Sequence, residues 1–220
     1  MPGPQIIYTE LIKENKTEFI AKLLQISEVL GINPNWLMWV MWKESKIDSK
    51  AVNKQPGDDD DPYTRARYRA TGLIQFMPQT AEGLATTNQA LYMMSNIQQL
   101  NYVYKYFLPY RNKIKSVEDL YLVTFFPLAI GKADDWVFET SKISRSKIAQ
   151  QNPGIDANKD GKITLAEFKG YVLRGIPDAI KSLVVGAVQN IINTVKKKST
   201  WVTIALLISI YYYYDSKNYK

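Results

Sequence analysis

"GINPNWLMWVMWKES", residues 31–45, decides the fold class, because it announces a helix and loads it with apolar and aromatic side chains. Gly31 suits the position just past a preceding helix, Asn33 is a good N-cap, and Pro34 sits at the first helical position, where its missing N–H costs nothing. The helix is expected from Pro34 to about Lys46, with Glu44 near its C-terminal end. Desolvation against apolar neighbours and the negative end of the helix dipole would both raise the pKa of that carboxyl. By position alone, Glu44 reads first as a solvated helix-end charge paired with Lys43, Lys46 or Lys50, because charged residues are mostly exposed.

Working outward, residues 8–30 place Leu11, Ile12, Phe19, Ile20, Leu23, Leu24, Ile26 and Val29 at helical spacing, as one amphipathic helix or a broken pair. Residues 53–70, "NKQPGDDDDPYTRARYRA", hold no core pattern and read as a surface loop of mixed charge. Pro78 opens another helical stretch. "SNIQQLNYVYKYFLPYRN" sets Ile97, Leu100, Val103, Tyr104 and Phe107 on one helical face, and further helices are expected at 117–130 and 133–148. No alternating β pattern or internal repeat is present, so the fold class is mainly α.

The 220 residues contain no cysteine and no histidine, which excludes disulfides, thiolate or ordinary zinc sites and every His-dependent triad. An enzyme built from this chain must use carboxylates or lysines for proton transfer. The net charge of +7 belongs to the C-terminal part: residues 140–220 hold 13 Lys/Arg against 5 Asp/Glu, whereas residues 1–139 hold 15 against 16. Because those lysines flank apolar segments, they read as contact with an anionic membrane surface rather than with nucleic acid. The opening "MPGPQIIYTELIKENK" lacks a basic start followed by a long apolar run, so no secretory signal peptide is expected.

Three stretches in order, "ESKIDSKAVN" (44–53), "ATGLIQFMPQTA" (70–81) and "NIQQLNYVYKYF" (96–107), resemble the lytic transglycosylase family of the soluble, goose-lysozyme-like type over roughly residues 20–137. The resemblance implies a lysozyme-like α domain that cleaves the β-1,4 bond between N-acetylmuramic acid (MurNAc) and N-acetylglucosamine (GlcNAc) in peptidoglycan. It assigns Glu44 as the single catalytic acid/base, with Ser45, Gly72, Gln75, Met77 and Phe126 as substrate-binding positions. The family usually reads Ala-Tyr-Asn-Ala-Gly in its fourth motif, but this chain has "TFFPLAIG" (124–131), with Phe126-Pro127 at the Tyr-Asn position. Tyr121, another of the 15 tyrosines, or packing alone must then hold Glu44. A carboxylate of Asp58–Asp61 reaching the cleft would hold a water and make the enzyme a goose-type hydrolase; a flexible acidic loop is the other account.

"DANKDGKITLAE", residues 156–167, matches the EF-hand calcium loop, with Asp156, Asn158, Asp160, the carbonyl of Lys162, Thr164 and Glu167 at the ligand positions and Gly161 at the sharp turn. With a single loop, a structural Ca²⁺ clip is expected rather than a sensor, and catalysis needs no cofactor. After Pro177 comes an amphipathic segment, then Lys196–Lys198, then an uncharged run from Trp201 to Tyr214, with aromatic residues at both ends. That run reads as a membrane anchor in a thin bilayer, or as an interfacial or core helix. The expected organisation is a lysozyme-like domain over 1–140, an EF-hand segment over 141–176 and an apolar C-terminal segment over 177–220, anchored at about 201–214. Such an architecture fits a membrane-associated virion protein of a bacteriophage that opens the cell wall at entry, with peptidoglycan, lipid bilayer and other virion proteins as partners. A bacterial tail-anchored enzyme and a non-enzymatic structural virion protein are the alternatives.

Overall fold

The computed structural model describes residues 5–178 and 180. The expected apolar run at 201–214 lies outside the described residues; within them, no helix is long and apolar enough to cross a membrane. The described part is helical, and its extended pairing is limited to isolated bridges at Val52–Thr71, Thr71–Phe76 and Val137–Thr164.

Helix α1 spans Lys16–Leu30 and ends on Gly31, whose φ of 68° is the left-handed geometry glycine adopts without steric cost. It buries Phe19, Leu23, Ile26, Ser27 and Leu30, while Leu24 and Val29 are 37% and 48% exposed. The sequence pattern was therefore too generous on this helix: the buried stripe is narrower and rotated toward Ser27, whose hydroxyl donates to Leu23 O at 2.8 Å. Helix α2, Pro34–Ser45, starts as its sequence requires, with the Asn33 side chain accepting from Asn35 N. It ends where Lys46 and Ile47 both take positive φ, 57° and 63°, and return their N–H groups to the carbonyls of Trp42 and Met41. Leu37, Met38, Trp39, Val40 and Met41 are all buried, so α2 is the central helix of the core.

Short helices α3 (Pro62–Ala66), α4 (Pro78–Gly83) and α5 (Asn88–Met93) follow, then α6 (Asn96–Phe107) with a full capping box from Ser95 and Gln98. Helix α6 packs on α1, and α2 lies against both α1 and α7. Helix α7, Val117–Phe125, stops short of the expected 130 because Phe126 precedes Pro127 and is driven out of the helical region, to φ −158°.

Residues 133–144 are not helical as the sequence pattern suggested; α8 is confined to Arg145–Gln151. The preceding strand-like segment instead pairs with the start of α9, Leu165–Leu173: Phe138 N donates to Ile163 O, and Leu165 N to Trp136 O, each at 2.9 Å. This pairing inserts Phe138, fully buried, among Phe125, Phe126, Trp136 and Phe168, with ring centroids 5.7, 5.1, 5.4 and 5.6 Å away. Aromatic clustering of this kind outweighs the helical spacing of the segment, because each ring buries a large apolar surface and gains from edge-on contacts. The described residues up to Ile176 share one compact unit, and α9 packs on α7 within it.

Candidate active site

Glu44 occupies the last turn of α2, and its carboxyl lines a cavity of about 270 Å³ together with Tyr121, Phe125, Asn152, Gly154, Ile155 and Tyr171. Among the described residues lining it, Glu44 carries the one carboxyl group. Burial raises the Glu44 pKa above the ordinary carboxylate value; a hydrogen bond from the Tyr121 phenol and the positive charge of Lys43 oppose the rise without cancelling it. Tyr121 is itself pushed up, first by burial and then by the charge of Glu44, so it remains a phenol and a donor.

The three lysines that would make Glu44 an ordinary solvated ion pair are engaged elsewhere. Lys43 Nζ donates to Tyr171 O at 3.3 Å and sits 3.9 Å from the Tyr171 ring centroid. Lys46 lies 3.6 Å from the Trp42 ring, and Lys50 reaches the carbonyls of Tyr92 and Met94. Glu44 is therefore a partly desolvated carboxyl beside a phenol, and its raised pKa is the direction a general acid requires.

The other positions named from sequence have structural partners. Ser45 is buried, its hydroxyl directed at Leu73 O (2.9 Å) and Met41 O (3.1 Å), so it ties the end of α2 to the loop at 71–76. Gln75, at φ 52°, donates its amide to Gly72 O and Ala51 O. Gly72, at φ 81°, lies so close to Gln99 that an added Cβ would be 2.4 Å from Gln99 Oε1. Met77 is 53% exposed ahead of α4. Phe126 packs against Trp136 and Phe138, while its neighbour Phe125 is the ring that lines the Glu44 cavity.

Gln99 organises this region and was not singled out in the sequence. It accepts from Leu73 N (3.0 Å) and donates to Ser49 O and Leu91 O (2.7 Å each), all in a fully buried setting. Its only sequence signal is a polar residue inside the buried stripe of α6. The cavity residues Asn152, Gly154, Ile155 and Tyr171 also carried no signal, since they lie more than 100 residues along the chain from Glu44.

The acidic run at 58–61 is laced into its own loop. Arg69 holds Asp58 in a two-pronged contact (2.6 and 2.8 Å), Asp60 meets Lys54, and Asp61 caps α3 through Thr64 N. Buried Arg65 binds the carbonyls of Asn53, Asp59 and Asp60. None of these aspartates is among the residues lining the Glu44 cavity.

In the loop at 156–167, Asp156 accepts from the N–H groups of Asp160 and Gly161, Asn158 from Asp160, and Asp160 from Lys162. Lys162 Nζ is 3.5 Å from Asp160. Glu167 forms a capping box with Thr164 and spans the loop to the N–H groups of Ala157 and Asn158. Burial works against charge on Glu167, but these bonds outweigh it and hold its pKa below the usual value. Gly161 takes the sharp turn at φ 78°. The hard oxygen donors and the turn fit Ca²⁺ chemistry. As arranged here these oxygens accept from loop N–H groups, and no cluster of three acidic, His or Cys ligands is gathered among the described residues.

No curated protein matches the chain. Residues 23–112, from α1 through α6, match the family model described as Transglycosylase SLT domain, which supports the lytic transglycosylase family for this part of the chain.

Proposed function

We propose that the protein is a peptidoglycan lytic transglycosylase that cleaves the MurNAc–GlcNAc β-1,4 bond with Glu44 as its single acid/base. The observation that carries this reading is a half-buried carboxyl, its pKa raised by desolvation, lining a cavity beside a phenol at the end of a helix inside the matched SLT region. Glu44 first donates its proton to the glycosidic oxygen as the bond from that oxygen to MurNAc C1 breaks, releasing the GlcNAc hydroxyl. The resulting carboxylate then takes the proton of the MurNAc C6 hydroxyl while O6 bonds to C1. The 1,6-anhydro ring closes without water, and Glu44 is reprotonated for the next cycle.

A hydrolase of the usual kind needs a second carboxylate about 5–9.5 Å from the first, to act as nucleophile or to hold a water. The cavity lining favours the one-carboxylate route over the goose-type hydrolase reading. Digestion of purified peptidoglycan tests it. Anhydro-muropeptides that fall by about 10²–10⁴-fold in Glu44→Gln support the proposal, within the range that general acid–base groups supply. Reducing-end products would instead make it a hydrolase, and no cleavage by the unaltered protein would leave a non-enzymatic glycan-binding or virion component.

Two further parts of the reading rest on sequence architecture. The loop at 156–167 is assigned to structural Ca²⁺, with Asp156, Asn158, Asp160, Lys162 O, Thr164 and Glu167 as its ligands. The apolar C-terminal segment is read as contact with a lipid bilayer, and together with a peptidoglycan-cleaving domain that architecture supports a membrane-associated bacteriophage virion protein acting at entry, with a bacterial tail-anchored enzyme as the alternative.

A further inference from the structure

We propose that the segment 145–173 supplies one wall of a sugar-binding subsite beside Glu44, in which the side-chain amide of Asn152 recognises the acetamido group of an N-acetylated pyranose and Gly154 leaves the room that the sugar occupies. The proposal rests on the glycan-cleaving reading of Glu44. It gives that reading substrate-contacting residues beyond 112, outside the matched SLT region.

Four of the seven residues that line the Glu44 cavity come from this segment: Asn152, Gly154, Ile155 and Tyr171. The wall is held from two sides. On α9, Trp39 Nε1 donates to Val172 O and Lys43 Nζ to Tyr171 O, each at 3.3 Å, with Lys43 Nζ 3.9 Å from the centre of the Tyr171 ring. These contacts fasten α9 to the helix that carries Glu44. At the end of α8, Asn152 N donates to Ala149 O at 3.0 Å, and the side-chain Nδ2 donates to Ile148 O at 2.9 Å. A turn then closes from Ile155 N to Asn152 O at 2.9 Å, with Pro153 at its second position, which suits the fixed φ of proline, and with Ile155 buried at its end.

A side-chain amide offers a carbonyl oxygen and two N–H donors. One N–H of Asn152 is spent on Ile148 O, and among the described residues nothing donates to its Oδ1. The oxygen and the second N–H of this half-buried side chain are left for a ligand. An acetamido group presents the complementary pair, one N–H donor and one carbonyl acceptor. Phe125 and Tyr171 add ring surface for the C–H faces of a pyranose, which gives the lining the pattern of small-molecule sites, apolar walls with a few polar groups that fix orientation. At about 270 Å³ the cavity lies just under the roughly 300–1,000 Å³ of sites for drug-sized molecules, a size that suits a single sugar unit.

Gly154 is the second observation. Its φ lies outside the left-handed region, and a Cβ built on it would meet nothing within 4 Å. Neither the backbone nor the packing of the protein requires glycine there, in contrast to Gly72. What the missing side chain does is keep space open at the cavity wall.

The test is NMR titration of ¹⁵N-labelled full-length protein with the tetramer of N-acetylglucosamine, and with the tetramer of glucosamine as its deacetylated counterpart. The Asn152 side-chain amide is assigned with Asn152→Ala. That amide should shift on adding the acetylated tetramer. Gly154→Leu should weaken binding by about tenfold or more, as overfilling a site does, while Tm stays level or rises because the turn does not need glycine. Asn152→Ala should weaken binding by about 2–10-fold, the worth of a neutral hydrogen bond, and narrow the preference for the acetylated tetramer by the same factor. If Asn152→Ala loses the end of α8 and fails to fold, Gly154→Leu and the amide shift still decide the matter. No binding by the unaltered protein, an Asn152 amide that does not move, a Gly154→Leu variant that binds as tightly as the parent, or a folded Asn152→Ala variant that keeps the full preference overturns the subsite. Peptidoglycan digestion separates this result from the reading beneath it. Cleavage lost in Glu44→Gln but undiminished in Gly154→Leu removes the subsite and keeps the acid/base, whereas cleavage that survives Glu44→Gln removes the transglycosylase reading whatever the tetramers show.

Discussion

Replacing Gly72 with alanine attacks the junction on which the Glu44 helix rests. The new methyl carbon would lie 2.4 Å from Gln99 Oε1 and 3.0 Å from its Cδ, on a backbone at φ 81°. The left-handed conformation alone costs an L residue about 1–2 kcal/mol. Relieving the clash requires Gln99 to withdraw from Leu73 N, Ser49 O and Leu91 O, three buried partners. Net hydrogen bonds of about 1 kcal/mol each add roughly 2–3 kcal/mol if most are lost. The total, about 3–5 kcal/mol, corresponds to a fall in Tm of roughly 6–20 °C for a chain of this length. Thermal unfolding followed by circular dichroism measures it, ideally as a cycle with Gln99→Ala. In the Gln99→Ala background the clash is gone, so Gly72→Ala should cost only the backbone part, about 1–2 kcal/mol. A loss below about 1 kcal/mol in the native background, or equal losses in both backgrounds, would refute the assignment of Gln99 as the clamp of this loop.

Glu44→Gln should stabilise the fold as the pH rises. Its folded pKa is raised by burial, so its favourable contribution is complete below the unfolded value of about 4.3 and is lost as pH climbs through the folded value. The variant and parent should therefore have equal Tm near pH 4, with the variant higher at pH 7 and above; a variant less stable at pH 7 would contradict the raised pKa of Glu44. Phe138→Ala should cost about 3–5 kcal/mol and lower the whole transition, because its ring fills the space between four others. A separate low-temperature transition for residues 134–173, with the rest unchanged, would instead make that segment an independent unit. If the loop at 156–167 holds Ca²⁺, saturating calcium at about 100 times its Kd should raise Tm by roughly 5–10 °C over a chelator-treated sample. An unchanged Tm would remove the clip from the account.

Local chemistry alone determined a good part of this protein. Gly31, Asn33 and Pro34 set the start of α2 in the sequence as they do in the structure, because caps and proline act within a few residues. The absence of histidine and cysteine likewise left carboxylates or lysines for proton transfer, and only the family resemblance carried by the motif at 70–81 pointed to Glu44. Tertiary structure decided what surrounds it. Tyr121 lines the Glu44 cavity because α7 packs on α2, and Tyr171 reaches the same cavity because α9 packs on α7 and is tied to α2 through Trp39 and Lys43. Phe138, expected in a helix, is extended because three rings distant in the chain, with Trp136 beside it, hold it there. Helix caps and turn residues are read from neighbours in the chain; the raised pKa of Glu44 depends on burial, and its cavity on residues dozens to more than a hundred positions away, which only packing brings together.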